Sequence, residues 1–178
     1  MITYRPLLPA EITPSLFSRF IRRQEGTHCL RRDANGMWQT VFSPFIDDWS
    51  AQDVAFLCDC LRRTLASGGF VAGALDEEGF VKGFVCVRAE PLGPSGEYLD
   101  LASLHVSKEM RGLGMGRALF EEAKRFARSR GAKKLYISAH SAVESQAFYA
   151  AMGCVDACMI QEEHAQREPY DRQMECML

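Results

Sequence analysis

The stretch "HVSKEMRGLGMGRALF", His105 to Phe120, decides how this chain is read. An apolar run precedes it and an amphipathic pattern follows, so it joins a strand to a helix. Gly112, Gly114 and Gly116 stand between Arg111 and Arg117. A glycine loop that opens a helix lets several backbone N–H groups point one way, and the helix's first-turn donors and dipole add to them. With two guanidiniums alongside, the segment Arg111, Gly112, Leu113, Gly114, Met115, Gly116, Arg117 suits a diphosphate. A plain structural turn needs glycine only for its backbone angles, and would not need that much positive charge. Two familiar nucleotide motifs fail. The dinucleotide fingerprint GxGxxG is broken because the third glycine comes one residue early, and a P-loop lacks its GK[ST].

Working outward, "EYLDLASLHV" reads as the strand before the loop, and Leu119, Phe120, Ala123, Phe126 and Ala127 form one face of the helix after it. Gly131 caps that helix, and "KKLYISA" is the next strand. Ser141 with Glu144 reads as a capping box for a helix ending at Gly153, and "CVDACMI" and "DRQMECML" as closing strands. On the N-terminal side, "FVAGAL" and "FVKGFVCVR" make a hairpin around "DEEG". A helix with Val54, Leu57, Cys58, Leu61 and Leu65 on its apolar face starts at a Ser50–Asp53 capping box and stops at Gly68 and Gly69. "ITYRPLL" is a first strand. Thr13 and Pro14 open a helix with Leu16, Phe17, Phe20 and Ile21 buried, ending at Gly26, and Thr27 to Asp48 reads as a long irregular connection. The resulting order, β α α β β β α β α β β, predicts a single mixed α/β domain over residues 1–178.

Composition bounds the function. Hydrophobic residues at 47% and charged residues at 25% are ordinary for a globular chain. No window reaches the roughly 18 apolar residues of a spanning helix, and the first residues do not read as a leader, so a cytoplasmic protein without a membrane partner is expected. A net charge of -2 gives no case for nucleic acid. The 7 cysteines are odd in number, scattered and without a CxxC pair, which reads as reduced core thiols and no metal site.

"LHVSKEMRGLGMGRALF" resembles the acyl-CoA-binding motif of the GNAT N-acetyltransferase superfamily, [RQ]xxGx[GA], through Arg111, Gly114 and Gly116. "SAVESQAFYAAMGC" is similar to the family's second signature through Phe148, Tyr149 and Gly153. The resemblance covers roughly residues 97 to 158. It implies the GNAT fold, a mixed central sheet flanked by helices, and acetyl-CoA as co-substrate. A small-molecule or peptide amine is the implied acceptor, and a homodimer is left open. The family often carries an asparagine where this sequence has Ala142, so Ser141 or Ser145 is expected to hold the cofactor arm instead, with Phe148 beside it.

The implied reaction sets chemical demands. An alkyl ammonium with a pKa near 10.4 is neutral in roughly one molecule in a few thousand at pH 7, so a base or a water relay is required. Tyr149 matches the family's position for protonating the departing thiolate, and Asp100 corresponds to the place of the base, with Glu97 or His105, or no dedicated base at all, as alternatives. Plain alternation groups Asp100 with Ala102, Leu104 and Val106, and sets Glu97 and His105 on the opposite face unless a bulge intervenes. The main chain of Leu104, His105 and Val106 matches the family's donors to the pantetheine arm. The N-terminal aromatics Trp38, Phe42, Phe45 and Trp49, with Asp47, are expected on the substrate side. Two other readings keep the loop but change the outcome: a longer acyl-CoA donor, decided by pocket size, and a CoA-binding sensor without turnover.

Overall fold

The computed structural model describes residues 1–178. Its centre is a seven-stranded sheet in the order β1-β4-β5-β6-β7-β9-β8, made by Thr3–Pro6 (β1), Phe70–Leu75 (β4), Val81–Val87 (β5), Tyr98–Val106 (β6), Lys134–Ala139 (β7), Val155–Asp156 (β8) and Arg172–Met177 (β9). Every neighbouring pair is antiparallel except β6 and β7. That parallel pair needs a crossover, and the helix after the glycine loop, α2 (Met115–Ser129), supplies it.

The two faces of the sheet hold separate cores. On one, Leu119, Phe120, Ala123 and Ala127 of α2 pack on Val85, Leu99, Leu101 and Leu135. Each large side chain fully buried in this way contributes about 2 kcal/mol. The short helix α3 (Val143–Ala151) adds Phe148 and Tyr149 to the margin of the same cluster. On the other face, Cys58 and Leu61 of α1 (Ala51–Ala66) meet Phe17, Val71, Phe84 and Cys86. A six-residue helix, α4 (Glu162–Arg167), lies against Tyr136 on this face through the stacked ring of His164.

Several expected elements form as the sequence indicates. The Ser50 hydroxyl accepts from the Asp53 amide at 3.1 Å, and the Asp53 carboxylate accepts from the Ser50 amide at 2.7 Å. Gly131, with φ of 81°, follows the end of α2. Others change. The helix expected after Thr13 is a pair of 3₁₀ turns, Pro9–Glu11 and Pro14–Phe17. Phe17 and Phe20 contact Phe84 and Trp49 rather than form a helical stripe, so packing of separate rings replaces helix periodicity. Gly26 sits within a strand, not at a helix end.

The expected irregular connection from Thr27 to Asp48 is a hairpin of Gln24–Arg32 (β2) and Trp38–Asp47 (β3), turned by Asp33, whose carboxylate accepts from the amides of Asn35 and Met37. Its alternation is obscured because most of both faces stays at least partly open to solvent. The Ser141–Glu144 capping box does not form. Ala142 holds the N-cap position, and the Ser141 carbonyl accepts from the Leu30 amide of β2 at 2.8 Å. Of "CVDACMI" only Val155 and Asp156 are strand.

Between β6, β7 and β9 the buried Glu175 carboxylate accepts from the Tyr98 hydroxyl, the Cys158 amide at 3.1 Å and Lys134 at 2.9 Å. Burial opposes ionisation here, but these donors outweigh it and hold Glu175 down at about 2.

Two outcomes test this account. Ser50→Ala should cost about 1 kcal/mol and lower the melting temperature by about 2–4 °C. For Glu175 the folded pKa lies below the unfolded value of about 4.3, so its stabilisation is full above that value and disappears as pH falls toward 2. Glu175→Gln should therefore be less stable than wild type at pH 7, and the gap should narrow between pH 5 and pH 2 in denaturant titrations.

Candidate active site

The site begins with an irregularity in β6. Its antiparallel pairing with β5 runs Gly83↔Val106, Phe84↔His105, Val85↔Leu104 and Cys86↔Ser103, then shifts to Val87↔Leu101. Ala102 is the bulged residue, and it corrects the plain alternation. Leu99 and Leu101 face α2, as do Leu104 and Val106 beyond the bulge. Asp100 therefore shares the α1 face with Ser103 and His105.

A second feature lies on the other edge. β6 pairs with β7 only through Tyr98↔Lys134, Leu99↔Leu135 and Asp100↔Tyr136, after which the two strands part. Beyond Asp100 the main chain of β6 faces an open fork.

The glycine loop sits where β6 ends. Gly112 and Gly114 have φ of 76° and 85°, a left-handed conformation that side chains resist. The backbone amides from Gly112 to Arg117 donate to no acceptor within the protein. They form a row of donors at the positive end of α2. Gly116 is needed for space, since a Cβ there would stand 3.0 Å from the Phe148 ring.

Arg111 turns inward. Its guanidinium donates to the carbonyls of Val106, Arg23 and Arg22 at 3.0, 3.1 and 2.8 Å, tying the loop to the segment before β2. Arg117 is exposed and makes no ion pair or hydrogen bond, so the free guanidinium beside the amides is Arg117.

A groove of about 620 Å³ runs from this loop into the fork. Leu104, His105, Val106, Arg111, Gly112, Gly114, Gly116, Arg117, Ser145, Phe148 and Tyr149 line it, as do Arg22, Gln24 and Glu25. The structure thus brings together most of the residues expected around a cofactor. Leu113 points to solvent, Met115 is buried under α2, and Ser141 contributes to the hairpin contact described above. The Tyr149 hydroxyl has no hydrogen-bond partner in the protein. Burial, with Cys154 and Asp171 nearby, pushes its pKa up, so it stays a proton donor across the physiological range.

Asp100 is not in this groove. Its side chain, 3% exposed, lines a cavity of about 560 Å³ on the α1 face, with one oxygen 2.9 Å from His164 and 3.8 Å from Arg88. His105 packs against Trp49 and Phe84, with centroids 5.1 and 5.5 Å away. Burial, then Arg22, Arg111 and His140, pushes it down to about 3, which leaves it a weak base. Glu97 accepts from the Ser95 amide in the loop before β6.

The N-terminal residues divide. Asp47 lies 3.6 Å from Arg22 and 3.5 Å from His140, Phe45 lies against His140, and Trp49 against His105. Trp38 is held between Arg32 and Arg172, and Phe42 is exposed. The sequence reading missed Arg22, Gln24 and Glu25, whose place depends on the hairpin. It also missed His164, 64 residues from its partner, for which "QEEHAQR" carries no signal beyond a lone histidine in a helical run.

A strand that parts from its parallel neighbour and ends at free amides on a helix N-terminus is the architecture of an acyl-CoA-dependent acyltransferase. The model of the Acetyltransferase (GNAT) family matches residues 34–154, and the chain belongs to that family. Acetyl-CoA is accordingly its co-substrate. Nourseothricin acetyltransferase superposes with a TM-score of 0.72 at 20% identity, over 99% of this chain and 98% of that one. A protein assigned as a streptothricin acetyltransferase from Bacillus anthracis, solved with acetyl coenzyme A, gives 0.69 at 14% identity, over 100% and 99%. A GNAT N-acetyltransferase from Escherichia coli in complex with CoA gives 0.59 at 17%, over 99% and 81%. No curated protein matches the sequence.

Gly114→Glu should abolish acetyl-CoA binding in calorimetric titration, because it sets a carboxylate among the free amides. Nothing lies within 4 Å of the new Cβ, so the fold should survive with only the backbone strain, about 1–2 kcal/mol. Unchanged affinity would remove the loop from the cofactor site.

Proposed function

We propose that the protein transfers the acetyl group of acetyl-CoA directly to a primary amine of a small-molecule or peptide acceptor. The observation that carries this is the groove that joins the free amides of the α2 N-terminus to the half-buried Tyr149 across the fork between β6 and β7. The amides from Gly112 to Arg117, with Arg117 beside them, bind the diphosphate. The edge of β6 at Leu104, His105 and Val106, unpaired with β7 but with the Val106 carbonyl held by Arg111, offers main-chain partners to the pantetheine amides. Ser145 and Phe148 flank the arm from α3.

The amine attacks the thioester carbon and the carbon–sulfur bond breaks. The incoming ammonium loses one proton before attack and a second once the carbon–nitrogen bond has formed; the departing thiolate takes its proton from the Tyr149 hydroxyl, which recovers one from that second release. The Asp100 carboxylate, at the last paired position before the fork, supplies the negative charge on the face where the ammonium gives up its first proton.

Titration with acetyl-CoA, with NAD and ATP as controls, followed by thiol release against a panel of amines, tests the reading. Nourseothricin and streptothricin belong in the panel because two of the superposing structures carry those names. Selective acetyl-CoA binding with release for one amine class is the expected result. Tyr149→Phe should lower kcat by about 10²-fold with little change in the Michaelis constant for acetyl-CoA. An unchanged kcat would take Tyr149 out of the reaction.

A further inference from the structure

The geometry points to His164 as the group that takes the proton of the incoming amine, held for that task by the buried Asp100 carboxylate; this rests on the acetyl-transfer reading above. Asp100 is placed at the fork, yet its own side chain is nearly closed to solvent. His164 Nε2 stands 2.9 Å from Asp100 Oδ2, so an ionised carboxylate fixes the proton on Nε2 and leaves the lone pair on Nδ1. Nδ1 has no protein partner and is not among the buried unpaired atoms, so it keeps contact with solvent, and His164 is one of the residues that line the cavity. This is a base with an orienting carboxylate behind it, the division of labour by which a buried aspartate makes an imidazole effective.

The other histidines lack this arrangement. His140 accepts from the Ala142 amide through Nδ1 and faces Asp47 through Nε2. His28 is tied to Thr27 on the exposed hairpin, and His105 has no carboxylate beside it. The cavity favours a cation, because Glu90, Asp100 and Glu163 line it against Arg63 and Arg88. The remaining ionisable groups around His164 are Tyr136, stacked on its ring from β7, Cys60 on α1, Cys86 on β5, and Asp171 before β9. Asp100 is therefore a positioning residue. It orients the imidazole and stabilises the imidazolium that forms when Nδ1 takes the ammonium's first proton, before attack, and passes it to solvent through the cavity mouth.

The test is thiol release with the amine selected from the panel, measured against pH for wild type, His164→Gln and Asp100→Asn, with acetyl-CoA affinity and melting curves alongside. In wild type, kcat/KM should not track deprotonation of the free amine. His164→Gln should lose about 10²-fold at pH 7, keep its acetyl-CoA affinity, and show a rate that climbs tenfold per pH unit with deprotonation of the amine itself. Asp100→Asn should follow the same profile, because its amide no longer fixes the tautomer. A wild-type profile that already tracks the free amine overturns the assignment without any variant, as does a His164→Gln protein with wild-type rate and profile. Wild type that binds acetyl-CoA but releases no thiol with any amine overturns the transferase reading and this inference together, which separates the two failures.

Discussion

The parting of β6 from β7 after three paired positions is the constraint on which the rest of this structure depends. Parallel strands ordinarily continue to pair, because an unpaired backbone N–H or C=O buried away from water costs about 1–3 kcal/mol. Here β7 turns its other edge to β9 along its full length, from Lys134↔Met177 to Ala139↔Arg172, and so stays anchored without β6. β6 is likewise held by β5 up to Val106. Each strand is secured on its outer side, and the fork can stay open between them. Its free main-chain groups are then available to an extended amide-bearing ligand arm.

Charge around the fork follows from which groups the hairpin occupies. Arg111 donates to the Val106 carbonyl and to carbonyls of the segment leading into β2, so it ties that segment to the end of β6. Arg22 is pressed inside, where burial lowers its pKa and Asp47 partly compensates. With two guanidiniums close by, His105 stays neutral. The proposed anion site is thus the α2 N-terminus with Arg117 beside it. The opposite face carries the carboxylates. Donor and acceptor groups of the proposed reaction are separated by β6 itself, with the Ala102 bulge setting which side chains look to which side.

How much of this was legible can be argued residue by residue. The glycine loop, the α2 face and the capping box at Ser50 are local features: each depends on residues within a few positions of one another, and each forms where the sequence indicates. The hairpin from Gln24 to Asp47 was not legible, because β2 is held by Ser141 and the segment leading into it by Arg111, both far away in the chain, and its strands expose too much of both faces to alternate cleanly. The same holds for the capping box assigned to Ser141, whose carbonyl is drawn into the pairing with β2.

The sequence by itself determined the strand–loop–helix unit, the positive-φ glycines and the family, since short-range sterics and helix capping are written in neighbouring residues. Only the tertiary structure decided which side chains share a cavity. Asp100 and Tyr149, both expected at the reaction centre, stand in different recesses on either side of β6, and Asp100 acquires a partner in His164 that no spacing could announce. A one-residue bulge reverses the facing of every side chain beyond it, and a contact across 64 residues depends on how α4 settles on the sheet. Both are set by packing, which the order of residues constrains but does not display.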